Sequence, residues 1–249
     1  MSETRIMLIT GAAGGIGRAT VKVFAENGWR VIGVDRNPFG EAFPENGNFV
    51  QLGVEQMDAI FEQVYAYTDE LHALVNNAAI QFAKPLVETS AAEWDELMGV
   101  NVRAPFLAAK KAYPLLKKAK GAVVNVSSVH AVATSVDIAA YAASKGALLA
   151  LTRAMAIEFA RDDVRANAIL PGAVDTHMLR AGLARDHVSG STMEERLDDL
   201  ARRTVIGRVG TTEEIARAIY FLADNTQSSF MTGQPLIVDG GATTRLSTE

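Results

Sequence analysis

Short apolar runs recur along the chain, separated by longer stretches with helical patterning. "RIMLIT" (5–10), "RVIGV" (30–34), "NFVQL" (48–52), "ALVNN" (73–77), "AVVNVS" (122–127), "VRANAIL" (164–170) and "PLIVD" (235–239) are rich in β-branched and aliphatic residues. Most are apolar throughout rather than alternating, the pattern of strands covered on both faces. Helical patterns fill the gaps, among them "GIGRATVKVFAENG" and "TTEEIARAIYFLADN". The second opens on Thr211 or Thr212 as an N-cap with acids in its first turn, and Gly28 is a stop for the first. This rhythm predicts an α/β chain, a single-domain Rossmann-type doubly wound fold over residues 1–249. Its mostly parallel seven-stranded sheet would carry helices on both faces. Two stretches break the rhythm. The one after Asp35 is short and holds Pro38 and Pro44, so a full crossover helix is not expected there. Residues 175–204 are long, polar and mixed, and are expected to cover a ligand beyond the strand ends.

Composition narrows the class. The chain has 249 residues, enough for one sizeable core, with 49% hydrophobic and 21% charged residues. Net charge is −5 with no basic run, which argues against a nucleic-acid partner. The absence of cysteine removes disulfides, thiolate catalysis and Cys-ligated zinc, and fits a reducing cytoplasm. No signal-peptide pattern opens the chain, and no apolar run reaches the roughly 18 residues of a spanning helix, so no membrane role is expected. His72, His130, His177 and His187 lack metal-ligand spacing, and no metal is expected.

The first strand runs into "TGAAGGIGRA", with Gly11, Gly15 and Gly17 at a strand-to-helix turn. Glycines there allow close backbone approach, and the following helix N-terminus offers N–H groups to a diphosphate. The second strand ends at Asp35, 18 residues past Gly17. A carboxylate at that place accepts hydrogen bonds from ribose hydroxyls and repels a 2′-phosphate, which favours NAD over NADP. Arg36, next in sequence, works against that preference by offering a phosphate partner.

A second group of polar residues stands mid-chain. "AAYAASKGALLALTRAMA" places Tyr141 and Lys145 four positions apart, on one helical face. An ammonium about 4 Å from a phenol, at an effective dielectric near 20, is worth at the upper end roughly 4 kcal/mol, or about 3 pK units, and a bound oxidised nicotinamide would add a second positive charge; together they would prepare a tyrosine for acid–base work. Upstream, Ser127 and Ser128 end a central strand, where this fold binds ligands, and strand alternation lets one of the two face the site. There is no G-x-S-x-G elbow, which argues against a serine hydrolase.

Taken together, these motifs resemble those of the short-chain dehydrogenase/reductase family over essentially the whole chain. "TGAAGGIG" matches its T-G-x-x-x-G-x-G motif at Thr10, Gly11, Gly15 and Gly17, and "YAASK" its Y-x-x-x-K. The family's serine lies 13 residues before the tyrosine, which selects Ser128. Its asparagine falls on Asn101, in a helix, and "PGAVDT" matches its P-G-x-x-x-T segment. The resemblance implies catalytic roles for Ser128, Tyr141, Lys145 and Asn101. It implies cofactor contacts at Thr10, Gly11, Gly15, Ile16, Gly17, Asp35, Asn77, Ala78, Tyr141, Lys145, Pro171, Gly172, Val174 and Thr176. Two departures stand out. "NNAA" places Ala79 where the family usually has Gly, and Gly53 stands where it often has an Asp that touches the adenine amino group. The second removes a side-chain hydrogen bond.

The expected activity is hydride transfer between NAD(H) and a secondary alcohol or ketone. Tyr141 would exchange the substrate proton, Ser128 would hold the substrate oxygen, Lys145 would lower the tyrosine's pKa and bind the nicotinamide ribose, and Asn101 would hold a water that links Lys145 to solvent. His130, two residues past Ser128, is a candidate substrate contact, since some sugar dehydrogenases of the family also read "SSVH". With Arg180, Arg185 and His187 in the covering segment, it points to a sugar or polyol. The alternatives are a 3-oxoacyl-thioester reductase-like or dihydrodiol dehydrogenase-like activity and, from another class, a nucleotide-binding regulator without catalysis. The resemblance also implies a homotetramer, paired through the helices near 102–118 and 139–160.

Overall fold

The computed structural model of the chain is described here for residues 4–183 and 189–244. Among these, seven strands form one sheet in the order β3-β2-β1-β4-β5-β6-β7. They are β1 (Ile6–Thr10), β2 (Arg30–Asp35), β3 (Asn48–Gln51), β4 (Ala73–Asn76), β5 (Ala122–Val126), β6 (Arg165–Pro171) and β7 (Pro235–Val238). Every pairing is parallel, so the sheet is wholly rather than mostly parallel. Strand order reverses between β1 and β4, which opens a crevice at their carboxyl ends.

The uninterrupted apolar strands divide their side chains between two cores, because successive residues point to opposite faces. Ile6 and Leu8 of β1 join Val50, Phe61, Ala108 and Met155 on one face. Met7 and Ile9 join Val21, Phe24, Ile215 and Ile219 on the other. The first layer is built by α2 (Met57–Tyr67), α4 (Ala104–Ala119) and α5 (Ala139–Phe159), and the second by α1 (Gly15–Glu26) and α8 (Thr212–Ala223). Thr211 is the N-cap of α8: its hydroxyl accepts from Glu214 N in a capping box. Gly28 follows α1 at φ +77°, where a side chain would be strained.

The irregular stretches fall where expected. Residues 36–47 form no helix. Short helices α3 (Ala91–Met98), α6 (His177–Gly182), α7 (Met193–Arg202) and α9 (Asn225–Ser228) complete the fold. The helix expected from about Val102 starts at Ala104, because residues Gly99–Arg103 form a π-turn ahead of it. Arg185 and His187 lie outside the described residues. No helix among the described residues is long and apolar enough to cross a membrane.

Candidate active site

The first βα turn is shaped by backbone proximity. Gly11 has φ +68°, and a Cβ there would stand 2.8 Å from the Ala78 nitrogen. A Cβ on Gly17 would land on the Gly11 carbonyl. Any side chain at either position would fill the cradle or break the turn. The N-cap of α1, Gly14, makes no side-chain cap, whereas α3, α7 and α8 each begin with a capping box. The first-turn N–H groups of α1 are thus left for an external acceptor, and a diphosphate fits them in charge and geometry. Thr10 and Asn77 build this wall from behind. The Thr10 hydroxyl accepts from Asn77 N and Ala78 N, both at 3.2 Å, and Asn77 Nδ2 donates to Gly11 O at 2.9 Å. They tie the end of β4 to the turn after β1.

Asp35, at the end of β2, faces the same turn. Its Oδ2 accepts from Ala13 N at 3.0 Å and its Oδ1 from Asn37 N at 2.9 Å. Each oxygen keeps a lone pair for a further donor. A negative charge therefore stands beside the cradle, held by the backbone of the glycine-rich turn itself.

On the other side of the crevice, β5 ends in Val126, Ser127 and Ser128. Alternation separates the two serines as expected. Ser127 Oγ donates to Lys145 O at 2.9 Å, inside the fold. Ser128 instead faces Tyr141, and its hydroxyl also accepts from His130 N at 3.2 Å. Tyr141 and Lys145 lie on α5, both buried, with the Lys145 ammonium 5.5 Å from the centre of the tyrosine ring. Lys145 Nζ donates to Val126 O at 2.9 Å. The ring of His130 lies 6.0 Å from that of Tyr141, edge to face. Ser128, His130, Tyr141 and Lys145, which lie within 18 residues of one another in sequence, thus converge at one place.

The electrostatics differ from the expectation at one point. Lys145 was expected to lower the Tyr141 pKa, but burial pushes the Tyr141 phenol up to about 12, and the hydrogen bond with Ser128 opposes that rise. Burial pushes Lys145 down to about 8. Both groups lose more to desolvation than they gain from each other. The ammonium is turned to a carbonyl rather than to the phenol oxygen. The phenol of the protein alone is therefore a proton donor at neutral pH.

Asn101 lies in the helical stretch before β5, as expected, at its π-turn. It is 1% exposed, and its amide brackets Ile80: Oδ1 accepts from Ile80 N at 2.9 Å, and Nδ2 donates to Ile80 O at 3.0 Å and to Ser144 Oγ at 3.1 Å. Ser144 Oγ in turn donates to Tyr141 O at 2.7 Å. The side chain thus joins the wall after β4 to the first turn of α5 and positions the Tyr141 backbone.

The segment after β6 runs alongside these residues. Gly172 N donates to Val238 O, and a Cβ on Gly172 would stand 2.7 Å from Asp239 Cα. Val174 bridges to Gly210. Thr176 caps α6 through its hydroxyl, and its methyl lies 3.2 Å from where a Cβ on Gly15 would stand. The start of α6 is therefore laid against the cradle. His177, Met178 and Ala181 face residues 79–83 across a cavity of about 350 Å³, with Arg36 at its edge. Arg180 is held away by a bidentate pair with Asp175 at 2.8 Å. An apolar wall that the motifs did not signal, Leu97, Ile138, Ile80 and Phe82, packs around Tyr141.

The sequence model of a family described as enoyl-(acyl carrier protein) reductase matches residues 11–243. The chain belongs to the short-chain dehydrogenase/reductase family. Protein FixR of Bradyrhizobium diazoefficiens is 38% identical to it, over 96% of this chain and 87% of that protein. Ligand-free aldohexose dehydrogenase of Thermoplasma acidophilum shares the fold at a TM-score of 0.91, with 30% identity over 98% of this chain and 96% of that one. ElxO with NADP bound matches at a TM-score of 0.86, with 28% identity over 98% of this chain and all of that one. As a member of this family, the chain is an NAD(P)-dependent oxidoreductase of alcohol and ketone groups.

Proposed function

We propose that the chain transfers hydride between NAD(H) and the carbinol carbon of a small hydroxylated substrate, in the sugar or polyol class. The observation that carries the reading is the convergence of Ser128, His130, Tyr141 and Lys145 beside a cradle left without side chains. A dinucleotide would lie with its diphosphate on Gly11–Gly17, its adenosine ribose at Asp35 and its nicotinamide between Lys145 and Pro171–Thr176, where it supplies or accepts the hydride. Ile16 and Val174 line that path, and the Asn77–Ala78 backbone flanks the ribose.

The protein's own groups handle the proton. Tyr141 Oη donates its proton to a carbonyl oxygen in reduction and takes it from a hydroxyl in oxidation. Ser128 Oγ donates a hydrogen bond to the same oxygen and steadies its developing charge. Lys145, on the same face, holds positive charge near the phenolate that oxidation requires. His130, edge-on to Tyr141, offers a polar contact to a second substrate hydroxyl. The similarity to aldohexose dehydrogenase supports the same class. The apolar wall of Leu97, Ile138, Ile80 and Phe82 favours a second reading, a ketone on an acyl or hydrocarbon ring.

The Asp35 carboxylate, held by Ala13 N and Asn37 N, supports NAD over NADP, since a 2′-phosphate there would meet a fixed negative charge. A panel of polyols, hexoses, cyclic alcohols and acyl ketones, each run with NAD and NADP, tests both readings. The expected result is activity on a polyol or hexose with at least about tenfold preference for NAD, a discrimination of about 1.4 kcal/mol. Activity confined to apolar ketones would favour the second reading, and NADP preference would overturn the cofactor assignment. Asp35→Ala should weaken NAD binding without creating NADP binding, because it also strips the acceptor from Ala13 N.

A homotetramer in a reducing cytoplasm fits the surface and the cysteine-free composition. Leu148, Leu149 and Met155 of α5 pack inward, but Ile157 is 79% exposed and Phe106 of α4 is 47% exposed. These two helices present the apolar outer face that a second copy would cover. Light scattering should give four times the 26.6 kDa chain mass. A monomeric mass at working concentration would reject the assembly.

A further inference from the structure

The two serines that end β5 are both buried, and Ser128 takes the place beside Tyr141. Ser127 has no part in the proton transfer, and an apolar core does not call for a hydroxyl there. Its surroundings follow from the strand. Val123 packs into the core beneath α5, and alternation turns Asn125 and Ser127 to the same face. Each of these two polar side chains finds a partner on α5. Asn125 Nδ2 donates to Thr152 Oγ1 at 2.9 Å, and Thr152 Oγ1 donates to Leu148 O at 2.7 Å. Two turns nearer the crevice, Ser127 Oγ donates to Lys145 O at 2.9 Å.

The residue held this way matters. A carbonyl inside a helix accepts from the amide four residues on and keeps a second lone pair, which Ser127 uses. The same residue sends its ammonium to Val126 O at 2.9 Å. Val126 and Ser127 are consecutive, so two neighbouring residues of β5 grip Lys145 at both ends. One holds its backbone carbonyl and the other its charged tip. Ser127 is 3% exposed and Lys145 2%, so bulk water does not compete for either bond. A lysine stem is flexible, and where its tip arrives depends on where its backbone is fixed.

We propose that Ser127 is a positioning residue for Lys145: its hydroxyl sets the height of the lysine backbone on β5, so that the ammonium is delivered to the edge of the crevice where the nicotinamide ribose would lie. The inference rests on the dinucleotide-binding reading above. Without the hydroxyl, the Lys145 carbonyl loses its donor from outside the helix, and the first turns of α5 gain freedom against β5. A shift too small to unfold the helix lengthens a hydrogen bond to a ribose hydroxyl. Ser127 touches neither substrate nor cofactor, and its influence passes through one side chain. Removing it should therefore matter only while Lys145 is present.

The test is a double-mutant cycle on cofactor binding by the whole chain, read as Kd for NADH from fluorescence quenching at neutral pH, with no turnover involved. The four proteins are the unmodified chain, Ser127→Ala, Lys145→Met and the two changes together, each checked for folding by a thermal melt. Ser127→Ala should weaken NADH binding by about five- to tenfold, the effect of one hydrogen bond put out of line. Lys145→Met should weaken it at least as much. In the Lys145→Met background, Ser127→Ala should leave Kd within about twofold. Ser127→Cys keeps the shape with a weaker donor and should show a smaller loss in the same direction; it carries the cycle if Ser127→Ala does not fold. An equal loss in both backgrounds would show that Ser127 acts on the fold at large, and overturns the positioning role. Native binding in Ser127→Ala, or in Lys145→Met, overturns it as well and leaves the dinucleotide reading standing. Failure of the unmodified chain to bind NADH overturns both.

Discussion

Tyr141→Phe is expected to lower kcat by between about 10²- and 10⁴-fold, the range for loss of a positioned general acid–base group. The Kd for NADH should stay within about twofold. The two outcomes separate because the substitution removes one oxygen and keeps the ring that packs with Leu97, Ile138 and Phe82. The pH profile gives an independent readout. Oxidation needs Tyr141 without its proton, so kcat/KM for the alcohol should rise with pH in the unmodified enzyme, and reduction should show the opposite slope. The phenol stands at about 12 in the protein alone because burial disfavours the phenolate. In the proposed reaction, positive charge arriving with the bound cofactor would oppose that rise. Any activity left in Tyr141→Phe should lose the slope that Tyr141 supplies. Near-native kcat in that variant, or an unchanged profile, would remove Tyr141 from the proton-transfer step.

Much of the fold was legible, and the reasons are local. Seven strands that are buried on both faces must be apolar throughout, and helices covering them must carry stripes, so the alternation of the two patterns is the fold written along the chain. Pro38 and Pro44 predicted the missing crossover helix for the same kind of reason. The convergence of the candidate residues was legible because Tyr141 and Lys145 share a helix and Ser128 ends a strand nearby in sequence. What escaped depends on approach between distant segments. The π-turn at Gly99–Arg103 lets Asn101 reach both Ile80 and Ser144, which lie 21 and 43 residues away. No spacing rule signals that. The weight of burial also escaped: in the protein without cofactor, desolvation dominates both Tyr141 and Lys145.

The buried lysine leads to the second large effect. Lys145 is 2% exposed, and among the described residues its ammonium makes one hydrogen bond, to Val126 O. Burial lowers its pKa from 10.5 to about 8. A group whose folded pKa is depressed contributes stability above its unfolded value and loses it as pH falls through the folded one. At pH 7 the folded protein therefore carries a charged amine at a cost of about 3 kcal/mol relative to pH 10.5. Lys145→Met fills similar volume without charge. Urea unfolding of the cofactor-free protein at pH 7 should show the variant more stable by up to about 3 kcal/mol, with a Tm several degrees higher, and turnover lost. The difference should shrink as pH rises from 8 toward 10. That window isolates Lys145, because the raised Tyr141 contributes stability that persists below pH 10 and is lost only as pH climbs toward 12. A variant less stable at pH 7, or a difference that does not change between pH 8 and 10, would show that the Val126 hydrogen bond outweighs desolvation. The expected result means that the active site keeps its cation against the stability of the fold. A charge so placed fits the proposed proton and hydride transfer rather than the packing of the core.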